Sequence, residues 1–224
     1  METKEGLLEV IKDVAVIEEF HKLYYNTPKQ TWLTTKWKGI FVAKCPLDMW
    51  QYQEIIQETQ PDIIIETGTW NGGSALFLRD MLRLVGKPQG IVFTLDNNPI
   101  GRFKDEDGIV QLIGDSVGKC LVDFVKKSID IGDKVMVILD SDHSKQHVLN
   151  ELNTWAPLVS VGCYLIVEDT NVYGHPVYKD HGPGPMEAIK EWMFDNPLEF
   201  EHDEWRERFM MTFNPNGYYK RVRE

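Results

Sequence analysis

Ile63-Ile64-Ile65-Glu66-Thr67-Gly68-Thr69-Trp70-Asn71-Gly72-Gly73-Ser74 is the stretch on which the fold turns. The apolar run has the length of a buried strand, the acid and spaced glycines form a turn, and a helical pattern continues from Ser74. A strand, a glycine turn and a helix N-terminus in that order leave backbone N–H groups facing a ligand. The dinucleotide fingerprint is G-x-G-x-x-G, its second glycine letting the backbone approach a pyrophosphate, and Trp70 occupies that place here. A P-loop ends in Gly-Lys-Ser/Thr, and no lysine follows Gly73. What is left is E-x-G-x-x-x-G, with a carboxylate just before the turn. Such a carboxylate attracts an ammonium group and repels a phosphate, which is the charge logic of S-adenosylmethionine. Glycines in this arrangement also serve any strand–turn–helix of an α/β domain, so the motif alone leaves both readings open.

Outward from this motif the hydrophobic period alternates. The spacing predicts strands over Ile63–Glu66, Gly90–Asp96, Val110–Ile113, Val135–Leu139 and Tyr164–Glu168, with helices over Ser74–Val85, Val117–Ser128 and Gln146–Trp155 between most of them. Alternating strands and helices imply a mostly parallel sheet with helices on both faces. Upstream, helical patterns run from Gly6 to Tyr25 and from Leu47 to Thr59, around an irregular aromatic segment with Trp32, Trp37 and Phe41. Residues 1–60 therefore read as a cap on a core of 61–224, within a single domain overall. In the tail, a helix over Pro185–Phe194 precedes strands at Leu198–Glu201, Phe209–Asn214 and Tyr218–Val222, the last two pairing antiparallel across the Asn214-Pro215-Asn216-Gly217 turn.

In open α/β sheets ligands bind beyond the carboxyl ends of the strands. All five predicted core strands end in or near an acid: Glu66, Asp96, Asp115, Asp140 with Asp142, and Glu168 with Asp169. A single acid there is an ordinary helix cap or turn residue; five on one rim are costly to bury without cations or donors. Asp96 stands where ribose hydroxyls would lie. Asp115 and Ser116 stand where adenine needs polar partners, although Asp115 equally suits a helix cap. Asp142, Glu168 and Asp169 bring hard oxygen ligands together, which suits Mg²⁺, Mn²⁺ or Ca²⁺ rather than zinc; the alternative is that Asp169 caps a loop and Glu168 is solvated. Lys145, three residues after Asp142, is either a general base of lowered pKa or a solvated helix lysine. His143 and His147, four apart, share a helix face and more often make surface or core than ligands.

Composition narrows the class. The 224 residues carry a net charge of −11, with 42% apolar and 26% charged residues, as in a globular enzyme. Acids spread along the chain argue against a nucleic-acid partner or an anionic membrane surface. Cys45, Cys120 and Cys163 are odd in number and far apart, which reads as a reduced, cytoplasmic protein with neither a disulfide framework nor a Cys-x-x-Cys zinc site. The N-terminus has no secretory apolar region, and no apolar run approaches the ~18 residues of a membrane span.

The motif Glu66-Thr67-Gly68-Thr69-Trp70-Asn71-Gly72-Gly73-Ser74 resembles the first motif of the class I methyltransferases. Leu139-Asp140-Ser141-Asp142-His143-Ser144-Lys145-x-His147-Val148-Leu149, Ala156-Pro157-Leu158-Val159-Ser160, Val167-Glu168-Asp169-Thr170, Gly174-His175-Pro176-Val177, Gly182-Pro183-Gly184-Pro185 and Asn214-Pro215-x-Gly217-Tyr218 resemble the cephalosporin hydroxylase family, which includes rhamnosyl O-methyltransferases. The likeness runs from about Pro61 to Arg221. It implies a Rossmann-like class I methyltransferase fold with an antiparallel C-terminal strand, S-adenosylmethionine, and a divalent metal, Mg²⁺ or Mn²⁺, on Asp142, Glu168 and Asp169. Glu66, Gly68, Thr69, Gly72, Ser74, Asp96, Asp115, Ser116 and Asp140 would hold the cofactor. Asp142 and Lys145 match the Asp-x-x-Lys of catechol O-methyltransferase, a metal ligand and a base; Glu-Asp-Thr at strand five departs from that enzyme's Asp-Asn. Iron oxygenase chemistry requires two histidines and a carboxylate, and none of the five strand ends carries a His-x-Asp/Glu pair.

The expected function is metal-assisted O-methylation of a small polar acceptor, with Lys145 or His143 taking the hydroxyl proton and Trp32, Trp37, Trp70, His175 and the Gly182–Pro185 loop shaping the acceptor site. A sugar hydroxyl, rhamnose-like, follows from the resemblance; a secondary metabolite or antibiotic is the alternative acceptor. A non-catalytic cofactor-binding partner of a hydroxylase and a nicotinamide dehydrogenase are the rival classes. A homo-oligomer is left open.

Overall fold

The computed structural model describes residues 14–101, 103 and 108–223. Helix α1 covers Val14–Tyr25, and the part of the expected helix before it lies outside the described residues. A short 3-10 turn and a two-residue hairpin (β1, Lys36–Trp37; β2, Ile40–Phe41) lead to α2 (Pro46–Thr59). Pro46 suits the first turn, where its missing N–H costs nothing, and Gln60 ends the helix in a left-handed cap before Pro61. There follow β3 (Ile63–Thr67), α3 (Gly73–Leu84), β4 (Ile91–Asp96), β5 (Ile109–Ile113), α4 (Lys119–Lys127), β6 (Val135–Leu139), α5 (Lys145–Trp155), β7 (Tyr164–Val167), α6 (Pro185–Asp195), β8 (Phe200–His202) and β9 (Tyr218–Arg221).

Among the described residues the main sheet is seven-stranded, in the order β5-β4-β3-β6-β7-β9-β8. The first five strands are parallel, and β9 runs antiparallel between β7 and β8. Alternate side chains of each strand feed opposite layers. Ile63 and Ile65 join Val122, Val148, Leu152 and Trp192 under α4, α5 and α6. Ile64, Val92 and Ile138 join Tyr52, Ile56 and Leu78 under α2 and α3. The expected sheet with helices on both faces and an antiparallel C-terminal strand is the one observed.

The tail departs from expectation at one strand. Phe209–Asn214 is not a strand, and β9 pairs with β8 and β7 instead of folding back on it. The segment's backbone groups are satisfied elsewhere: Phe213 N donates to Asp48 Oδ2 at 2.8 Å, and Phe213 O accepts from Asn171 N at 3.1 Å. The Asn214–Gly217 turn tucks beneath the end of β7, where a Cβ on Gly217 would meet Val167 O at 2.3 Å.

Helix α1 joins this assembly through a third cluster, in which Tyr25, Cys45, Val172, Val177, Met211 and Phe213 are buried. His21 stacks on Phe213 at 5.6 Å and meets Asn171 Nδ2 through Nε2 at 2.9 Å. Burial lowers its pKa to about 4. The folded state thus refuses a proton that the unfolded chain accepts below the usual value near 6.5, so this group withdraws stability as pH falls from about 6.5 towards 4. In urea titrations the stability of the native chain relative to His21→Asn is expected to drop by up to about 3 kcal/mol between pH 7 and 4.5. A difference independent of pH would show that His21 is not held neutral.

Candidate active site

The order of strands reverses about β3, and a cleft opens there beyond the carboxyl ends of the strands, with a volume of 890 Å³. The β3–α3 loop forms one wall through Gly68, Thr69, Trp70 and Ser74. Gly68 has a φ of +87°, and a Cβ there would lie 1.8 Å from Asp140 O. Only glycine lets this loop close on the end of β6. Asp96 braces the loop: Oδ2 accepts from Trp70 N at 2.9 Å and Oδ1 from Asn98 N at 2.8 Å. Asp115 lies on the wall and also caps its own turn, accepting from Val117 N at 3.0 Å, so both of its expected roles coexist.

Three expected cofactor residues lie differently. Glu66 is fully buried behind the wall and accepts from Thr94 Oγ1 at 2.8 Å. Burial lifts its carboxyl to about 7 against the pull of Lys44. Gly72 caps α3 beneath Phe103 and is not on the wall. Ser116 is on the wall, but its hydroxyl donates inward to Glu151 Oε1 at 2.5 Å.

The acids at the ends of β6 and β7 sort themselves in a way the spacing did not indicate. Asp140, His143 and Asp169 bring ligand atoms within 4.8 Å of one another. His143 Nε2 lies 3.3 Å from Asp169 Oδ2 and 3.5 Å from Asp140 Oδ1, and is buried with no hydrogen-bond partner among the described residues. Burial alone would lower this imidazole's pKa; the Asp169 and Asp140 carboxylates outweigh it and raise it to about 9. Two carboxylates and an imidazole on one cavity wall are a donor set that fits a divalent cation.

The expected set was Asp142, Glu168 and Asp169, and the geometry draws two of these away. Asp142 lines the cleft, but its Oδ1 accepts from Ser144 N at 2.7 Å as the cap of α5. Glu168 is buried, with Oε1 held by Lys44 Nζ at 2.5 Å. The same ammonium holds Asp140 Oδ2 at 2.5 Å. Burial disfavours a charge on Lys44, but Asp140 and Glu168 beside it drive its pKa up, so it stays an ammonium.

Asp169 keeps a left-handed φ of +52°, a conformation aspartate tolerates better than most residues. Its N–H is fixed on Asn214 Oδ1 at 3.0 Å, while Asn214 Nδ2 bonds Tyr52 Oη at 2.9 Å. The Asn214 turn is therefore the anchor of an acid at the site rather than a hairpin turn.

The expected base and acceptor residues divide as well. Lys145 opens α5 and turns to Glu191 at 2.5 Å, off the cleft wall. His175 pairs with Glu187 at 2.5 Å and is also off the wall. Trp37 donates to Asp80 at 2.7 Å and packs on Phe77. Trp32 and Trp70 do line the cleft, together with Tyr25, Tyr173 and Tyr178, which the sequence did not single out. Lys44 gave no signal at all. Glu151 gave a faint one, as an acid on the apolar stripe of α5 with Val148, Leu152 and Trp155. The His-x-Glu spacing at His202–Glu204 lies on the outer strand β8, where His202 pairs with Glu207 at 2.8 Å.

A family model described as Rhamnosyl O-methyltransferase/CmcI matches residues 29–222. A protein of Mycobacterium tuberculosis named Rhamnosyl O-methyltransferase is 40% identical over 209 residues, covering 91% of this chain and 84% of its own. Among solved structures, one described as cmcI-D160 Mg-SAM has a TM-score of 0.65 at 20% identity, covering 85% of this chain and 77% of that one. Another, the apo structure of CalS11, a TDP-rhamnose 3'-O-methyltransferase, has a TM-score of 0.55 at 12% identity, covering 99% and 96%. The fold is that of the class I S-adenosylmethionine-dependent methyltransferases. With the family model spanning nearly its whole length, the chain belongs to the Rhamnosyl O-methyltransferase/CmcI family.

Proposed function

We propose that this chain is an S-adenosylmethionine-dependent, divalent-cation-assisted O-methyltransferase whose acceptor is a hydroxyl of a rhamnose-like sugar or glycoside. The observation that carries this reading is the convergence of Asp140, His143 and Asp169 on the same cleft as the Gly68–Trp70 loop and Asp96. It agrees with the printed name of the mycobacterial relatives and with the Mg-SAM pair in the description of the CmcI structure.

Asp140 and Asp169 would hold Mg²⁺ or Mn²⁺, which lowers the pKa of a bound hydroxyl. With the charge of those carboxylates engaged by a cation, little holds the imidazole protonated, and His143 Nε2 takes the acceptor proton. Gly68, Thr69, Ser74 and Asp96 orient the methyl donor, and much of the rate comes from alignment. Tyr25 and Trp32, stacked at 4.8 Å, and Tyr178, edge-on to Tyr25 at 5.2 Å, offer the acceptor an apolar wall. Tyr25, Trp32, Val42 and Ala43 come from the first sixty residues, which supports reading that segment as a cap. Its acidic balance favours a small-molecule partner over nucleic acid, in the cytoplasm. Among the described residues no helix is long and apolar enough to cross a membrane.

Incubation with labelled S-adenosylmethionine, Mg²⁺ and a panel of deoxysugars and glycosides is expected to add one methyl group to a rhamnoside. EDTA should abolish the transfer, and Mg²⁺ should restore it. Transfer that survives EDTA would remove the cation from the mechanism. Lys145→Ala is expected to keep kcat within about threefold, because it breaks only a solvent-exposed ion pair.

A further inference from the structure

Glu151 is fully buried on the apolar stripe of α5. Its Oε1 gathers three donors from the cleft wall: Ser116 Oγ at 2.5 Å, Ser141 Oγ at 2.6 Å and His147 Nε2 at 3.3 Å. Its Oε2 has no hydrogen-bond partner among the described residues. A carboxylate only accepts, and each serine has a single proton to give. Both serines therefore spend their protons inward. His147 Nε2 also lies 3.0 Å from Ser116 Oγ, and with the serine proton committed to Glu151 it is the donor there. The serine oxygens are left to show lone pairs to the cleft. The Asp115 carboxylate on the same wall is an acceptor too.

We propose that Glu151 is a positioning residue that sets cofactor choice: by holding the protons of Ser116 and Ser141 it makes this wall an acceptor surface, which takes a purine bearing a 6-amino group and rejects one bearing a 6-oxo group. The inference rests on the nucleoside assignment made above. An exocyclic amine donates into those lone pairs, whereas a carbonyl oxygen at the same place meets them unpaired. Glutamine at 151 supplies an N–H that the serines accept, so their own protons turn to the cleft and the wall loses its preference.

The test is calorimetric titration of the full chain with S-adenosylhomocysteine and with S-inosylhomocysteine, its 6-oxo analogue. The native chain is expected to prefer the amino form by about tenfold or more. In Glu151→Gln the preference should shrink to about threefold or less, through weaker binding of the amino form and tighter binding of the oxo form; simple loss of structure would weaken both. The double variant Ser116→Ala, Ser141→Ala carries the same test if Glu151→Gln does not fold: it should lose the preference without gaining affinity for the oxo form. If S-adenosylhomocysteine binds and the preference is unchanged in these variants, the inference about Glu151 alone falls. If the native chain binds neither ligand, the nucleoside assignment falls and takes this inference with it.

Discussion

Asp169→Asn is expected to lower kcat by about 10³-fold, equivalent to roughly 4 kcal/mol of lost transition-state stabilisation, while the dissociation constant of S-adenosylhomocysteine moves by less than about tenfold. The substitution keeps the size of the side chain and removes the charge that faces His143 at 3.3 Å. Asp140→Asn should behave alike, since Asp140 and Asp169 flank the same imidazole. Asp142→Asn is the contrast. Its structural task is to accept the Ser144 N–H, which asparagine also does well, so kcat should stay within about threefold of the native value. These variants separate the two ligand sets. If Asp142→Asn proves as damaging as Asp169→Asn, the set expected from the sequence is correct and the geometric one is wrong. Steady-state kinetics with a Mg²⁺ titration for each variant reads the difference.

Lys44→Met is expected to destabilise the fold by about 3–5 kcal/mol, the usual cost of removing one partner from a buried charge network. The ammonium is almost fully buried and holds Asp140 and Glu168 at once, with side-chain exposures of 3% for Lys44 and 5% for Glu168. Without it two carboxylates lie side by side with no counter-ion from the N-terminal segment. Adding Glu168→Gln to Lys44→Met should return at least about 1 kcal/mol, since a neutral amide no longer needs that cation. Urea unfolding of the native, single and double variants at pH 7 makes the comparison. A loss below 1 kcal/mol in Lys44→Met, or no recovery in the double variant, would mean that water rather than Lys44 screens these acids. The same network gives Glu168 its purpose: it anchors the cap segment to the sheet and supplies no oxygen that is free for a metal.

The order of elements, the parallel sheet, the antiparallel last strand and the presence of acids beyond the strands were all legible in the sequence, because each depends on a local signal. Strand and helix periods, glycine turns and helix caps are written within a dozen neighbouring residues, and the right-handed winding of βαβ units then fixes which edge carries the strand ends. The family motifs added the cofactor class.

Which of the acids meet was decided only by tertiary structure. Asp140 and Asp142 are two residues apart, and the point where β6 stops and α5 begins turns one towards Asp169 and the other to a backbone cap. Glu168 and Asp169 are adjacent, but Lys44 arrives from a distant part of the chain to claim the first, and the Asn214 turn fixes the second in a left-handed conformation. Ser116, Ser141 and Glu151 come from three separate segments and share one carboxylate oxygen. Periodicity records which face of an element is buried. Electrostatic pairing across the fold depends on three-dimensional distance between residues far apart in the chain, and a one-dimensional pattern carries no measure of that distance.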